Sequence, residues 1–125
     1  MIDNDRIAWE VNNEVRILII DFSKPIDDLP LLIQKLADLT KHEKNIRVLL
    51  DVSDFHIKVE MMLLAVKKLN HLATNLECRA VIGASNYNIK FLNFTNSLFG
   101  LQTKFFDDRQ KGLDYLAALD AKKDS

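Results

Sequence analysis

Cysteine is almost absent. Cys78 stands alone, so the chain can close no internal disulfide, and its strand-like neighbours mark it as a small core residue. Glycine is scarce too: Gly83, Gly100 and Gly112 are too widely spaced to form a loop that cradles phosphate, which removes the common nucleotide-binding signatures. Neither sign of charge is in excess, with 17 Lys and Arg against 18 Asp and Glu and a net charge of −1. Nucleic-acid binding is therefore not expected, because it needs a clustered basic surface. No apolar run approaches the length of a bilayer span, and Met1 to Arg6 is polar rather than signal-like. The expectation is a chain without stable membrane insertion, working in the cytoplasm.

What is there is ordinary globular material. Hydrophobic residues make up 48% of the chain and charged residues 28%, enough for a core without staples, and no linker, repeat or low-complexity stretch divides it. One domain over residues 1–120 is expected, with 121–125 as a polar tail. Ile7 to Val11 alternates like a half-exposed strand, and Asn12-Asn13-Glu14 supplies turn residues. Val15 to Phe22 is apolar enough for a strand buried on both faces. Asp27 or Asp28, with Pro30, opens a helix whose Leu29, Leu32, Ile33, Leu36 and Leu39 share one side.

Ile46 to Val52 is the next strand. A helix from about Lys58 to Thr74 follows, with Met62, Ala65, Val66, Leu69, Leu72 and Ala73 turned inward. Cys78 to Gly83 is a strand, Ala84 to Asn88 a polar loop, and Ile89 to Phe99 a helix stopped at Gly100. Thr103 to Phe106 is a short last strand, after which Asp107 or Asp108 caps a closing helix that buries Leu113, Leu116 and Ala117. The expected class is α/β: an N-terminal β-hairpin, then βαβαβα, giving a mostly parallel five-stranded sheet with four helices and right-handed crossovers.

Particular stretches carry a family likeness. Arg47-Val48-Leu49-Leu50-Asp51-Val52-Ser53-Asp54-Phe55 resembles the strand-to-loop segment VLLDLSG of the STAS superfamily. Ala80-Val81-Ile82-Gly83 resembles the strand after it, and Phe105 to Arg109 with Gly112 to Leu116 resembles the closing strand and helix. Together with the order of elements, these make the chain similar to the SpoIIAA-like fold of that superfamily from about Val15 to Leu116. The resemblance implies a regulatory, non-enzymatic binding domain with no cofactor. In the founding members a serine in an Asp-Ser-Ser-Gly element, at the start of the helix after this strand, is phosphorylated and controls partner binding. Here Ile57-Lys58-Val59-Glu60 stands in that place, and no Ser or Thr occurs between Ser53 and Thr74, so the switch does not carry over. Ser53 reads as a turn or capping residue.

Ligands of parallel α/β sheets bind where loops leave the carboxyl ends of the strands. That rim gathers Asp21 and Ser23, then Asp51, Ser53, Asp54 and His56, then Ser85 and Asn86, and finally Asp107. Carboxylate and imidazole could serve a metal or acid–base chemistry, but His42, His56 and His71 lie on separate elements, so neither a metal site nor catalysis is expected. Asp51 reads instead as a strand end taking backbone hydrogen bonds, and Asp54 as a helix cap. Phosphoaspartate chemistry fails for a related reason, since Asp21 has no acidic neighbour to help hold magnesium.

The excess in this sequence is apolar. Leu64 falls among Glu60, Lys67, Lys68 and His71, with Met61 at the edge of that face. Phe91, Phe94 and Leu98 widen the apolar arc of the Ile89–Phe99 helix past half its circumference. Either these residues are buried under other elements, or they form a surface for a protein partner or homodimer, or they border a cleft for a lipid-like apolar small molecule.

Overall fold

The computed structural model describes residues 6–23, 28–68, 76–99 and 103–123. Strands β1 (Ile7–Asn12) and β2 (Val15–Asp21) pair antiparallel with Asn12 opposite Val15, so Asn13 and Glu14 alone make the turn. Both hold positive φ, 52° and 67°, as a two-residue type I′ hairpin requires. Asn tolerates that backbone, whereas Glu is strained there. Across the pair, the Arg16 guanidinium lies 4.1 Å from the centroid of the Trp9 ring.

Helix α1 (Leu29–Thr40) starts where Asp28 Oδ1 accepts from the Leu31 N–H at 3.1 Å, with Pro30 in a turn that has no hydrogen bond to lose. There follow β3 (Ile46–Asp51), α2 (Val59–Lys68), β4 (Leu76–Ile82), α3 (Asn86–Phe99), β5 (Thr103–Phe106) and α4 (Arg109–Lys123). Strand order in the sheet is the order along the chain. β1 runs antiparallel to β2, while β2, β3, β4 and β5 pair parallel, which makes a mixed five-stranded sheet.

Alternation along the strands sorts the core into two layers. Leu18, Ile20, Val48, Leu50 and Val81 turn to one face and pack with Leu32 and Leu36 of α1, Ile57, and Leu92 of α3. Ile17, Leu49, Cys78, Ala80 and Ile82 turn to the other and pack with Leu113 and Leu116 of α4. Each parallel crossover advances one strand in the same direction, so equally handed crossovers keep their helices on one side of the sheet. Among the described residues, it is after β5 that the chain passes to the opposite face. There Gly112 lets α4 lie close, because a Cβ at that position would come within 2.7 Å of Leu49 Cδ1.

A bulge anchors the same helix. The β3–β4 register pairs Ile46 with Leu76 but Arg47 with Cys78, leaving Glu77 as the extra residue. Glu77 thereby meets the buried Arg47, whose Nε donates to Glu77 Oε1 at 2.9 Å and whose Nη1 donates to the Leu116 carbonyl at 3.1 Å. A cation this deep is tolerated because it is both ion-paired and hydrogen-bonded.

Among the described residues, three boundaries differ from the sequence expectation by two residues or more. β4 begins at Leu76 rather than Cys78, since the bulge extends the pairing. α3 begins at Asn86 rather than Ile89, because Ser85 Oγ accepts from the Asn88 N–H at 3.1 Å and caps the helix early. α4 runs through Lys123, so residues 121–123, expected in the tail, are helical. The side chains of Met62, Ala65 and Val66, and all of Leu69, Leu72, Ala73 and Gly100, lie outside the described residues.

Replacing Glu14 with Gly should relieve the turn. The expected outcome for Glu14→Gly is a gain of about 0.5–1 kcal/mol, read as a higher urea midpoint at unchanged slope.

Candidate functional site

The carboxyl ends of the strands do not form one site; alternation divides them between the two faces. Asp21 and Asp51 are partners in the last rung of the β2–β3 pairing, and both share the face of Ile19 and Leu49, the α4 side. Strands stand about 4.8 Å apart and a helix is about 10 Å wide, so α4 cannot cover all five. Uncovered sheet toward β1 becomes a cleft of about 270 Å³. Ala8, Ile19, Leu49 and Ile82 give it an apolar floor, and Arg6, Glu10, Asp21, Asp51 and Arg109 supply its charges.

These charges are tied down to different degrees. Arg109 Nη2 lies 2.9 Å from each carboxylate oxygen of Glu10. Arg6, only 4% exposed, donates from Nη1 to the Asp21 carbonyl at 3.2 Å. Asp21 Oδ1 accepts from the backbone and hydroxyl of Ser23. Asp51 Oδ1 accepts from the Ser53 N–H at 3.0 Å, the strand-end bond expected of it.

The loops beyond Asp51 belong to the other face. Phe55 N–H bonds the Val52 carbonyl at 3.1 Å and closes a turn that holds Asp54 at φ 59°. Asp54 is therefore a turn residue, exposed and too far ahead of α2 to cap it. Ser53 abuts Gly83, itself at φ 72°, where a Cβ would lie 2.9 Å from Ser53 Cα. The fully buried Asn88 locks the next stretch: its Nδ2 donates to the Phe55 carbonyl at 2.6 Å and its Oδ1 accepts from the Ile57 N–H at 3.2 Å.

Exposed His56 stacks on Tyr87 with ring centroids 4.3 Å apart, and Tyr87 meets Phe91 at 5.6 Å, a ladder leading inward to the α1–α3 core. Ser85 caps α3, Asn86 is its first residue, and exposed Asp107 pairs with Lys111. Asp51 and His56 are thus not brought together. Among the described residues no group of three or more His, Cys, Asp or Glu is placed to hold a metal ion.

An apolar groove of about 150 Å³ runs beneath the α1–α3 layer, walled by Phe22, Ile33, Phe55, Ile57, Met61 and Leu92, with Arg79 reaching into it. Arg79 Nε donates to Thr103 Oγ1 at 3.1 Å and Nη2 to Asn96 Oδ1 at 2.8 Å. Burial pulls its pKa down to about 10, so it stays charged at neutral pH.

Of the apolar surface residues singled out in the sequence, Met61 and Leu64 are half-buried, Phe91 packs on the core, and Phe94 is exposed. The side chain of Leu98 lies outside the described residues. Sequence reasoning passed over Arg6 and Glu10, although the alternation of Arg6, Ala8 and Glu10 against Ile7 and Trp9 carried the signal. It also passed over Leu63, Tyr87 and Asn88.

No protein-family model matches the chain, and no curated protein matches it. A solved structure does. An uncharacterized protein of the DUF3478 family from Shewanella loihica PV-4, described as having a SpoIIAA-like fold, is similar over 88% of this chain and 91% of its own, with a TM-score of 0.68 and 18% identity. The fold is SpoIIAA-like. Ile57 is buried with its N–H held by Asn88.

Asn88→Ala strands a buried carbonyl and a buried N–H at once. The expected loss is about 2–4 kcal/mol, measured by urea unfolding, and Asn88→Asp should not recover it at neutral pH, because a carboxylate oxygen would face the Phe55 carbonyl.

Proposed function

We propose that this chain is a non-catalytic, STAS-like interaction domain that binds a protein partner or a second copy of itself through the outer surface of the α1–α3 layer. The observation that carries this reading is that, among the described residues, each helix of that layer presents at least one large apolar side chain outward: Leu31, Leu63 and Phe94 are 63%, 65% and 57% exposed. Single exposed leucines are ordinary. An aromatic with two leucines on one layer is what the core of an interface offers before it is covered. Exposed Tyr87 and His56 extend the surface toward the strand ends. The separation of Asp51 from His56 and the absence of a metal-holding group among the described residues favour binding over chemistry.

A lipid or other apolar-ligand carrier is the second reading, favoured by the groove under the same helices. At about 150 Å³ the groove holds half of the roughly 300 Å³ at which ligand pockets begin, so a carrier would have to open it further.

Sedimentation velocity and partner capture, comparing the parent chain with Leu63→Asp and Phe94→Asp, test the first reading. Expected is at least about a tenfold loss of self-association or capture in each variant, with thermal melting unchanged because both sites are exposed. Association that survives both substitutions would sink it. Native mass spectrometry of protein purified gently from cells tests the second: a mass increment that survives desalting and vanishes on denaturation supports a carrier.

A further inference from the structure

The polar cleft on the α4 face plays no part in that surface. We propose that it is a binding site for a small organic ammonium ion, with Asp51 as its counter-ion and Ala8, Ile19, Leu49 and Ile82 as the floor for the attached alkyl chain.

The charge pattern selects the ligand. Glu10 and Arg109 neutralise each other. The Asp21 carboxylate is engaged by Ser23, and the guanidinium of Arg6 reaches the Asp21 carbonyl. Asp51 differs from both. Among the described residues its carboxylate accepts a single hydrogen bond, from the Ser53 N–H, while a carboxylate has about four acceptor sites. It is half-buried in the cleft wall, where a charge-assisted hydrogen bond is stronger than in open water.

Anions are disfavoured because three carboxylates face two guanidiniums around the cleft. A divalent metal is disfavoured because the described residues offer no group of three or more ligands, and the floor has no oxygen or nitrogen side chains to add. The same apolar floor suits a hydrocarbon chain. A volume of about 270 Å³, roughly nine waters at about 30 Å³ each, leaves room for a short alkylamine and for a net gain when poorly held water is displaced.

The test is an NMR titration of the amide signals with butylammonium chloride, run beside sodium butyrate and magnesium chloride at constant ionic strength. Saturable shifts at Leu49, Asp51 and Ile82 are expected with butylammonium alone. Asp51→Asn should weaken binding by about tenfold or more while the rest of the spectrum is kept. Ala8→Lys, at an exposed position of the cleft wall, places the chain's own ammonium there and should abolish the shifts; it keeps the test decisive if Asp51→Asn fails to fold. Absence of saturable shifts, equal shifts with butyrate or magnesium, or undiminished binding in Ala8→Lys overturns the proposal.

Discussion

Burial of both faces of β2, β3 and β4 is the constraint from which the architecture follows. Ile17 and Leu18 are sequence neighbours pointing in opposite directions, and both are fully buried, which demands a layer on each side. Crossovers that advance the sheet supply one layer as they are made. The other face has to be closed by the element that comes after the last strand. Among the described residues α4 alone does this, and its close seat at Gly112 and its tether to Arg47 serve that role.

Unequal cover has a functional side. A face closed by one helix leaves sheet exposed at its margin, where Ala8 and Glu10 of β1 line the cleft. A face closed by several helices leaves little bare sheet, and its exposed features are side chains on the outside of those helices. One molecule thus carries a charged concavity and an apolar convexity on opposite sides.

Much of this was legible. Strand positions followed from β-branched runs, α1 from Asp28 and Pro30, and the closing helix from Asp108, whose Oδ1 accepts from the Gln110 N–H. What was lost has identifiable physical causes. The rim was gathered by position along the chain, but a side chain's face depends on the parity of its strand, which sends Asp51 to one side and the loops after it to the other. α2 was phased from an inward stripe, and on a helix one residue of slip is a turn of about 100°, enough to exchange Leu64 for Leu63 as the outward residue. The sequence places Asn88 in a polar loop with Ala84 to Tyr87. It is helical here because Ser85 caps ahead of it and its amide finds both partners in another loop.

The contact between Ser53 and Gly83 ties two loops that belong to different crossovers. Residue 83 cannot grow while Ser53 stays: a methyl group at 83 meets the Ser53 backbone, and left-handed φ already favours glycine there. Changes at 53 and 83 will therefore not add. The β3–α2 and β4–α3 connections are thus coupled at this one point, where the residue tolerated at 83 depends on the one at 53.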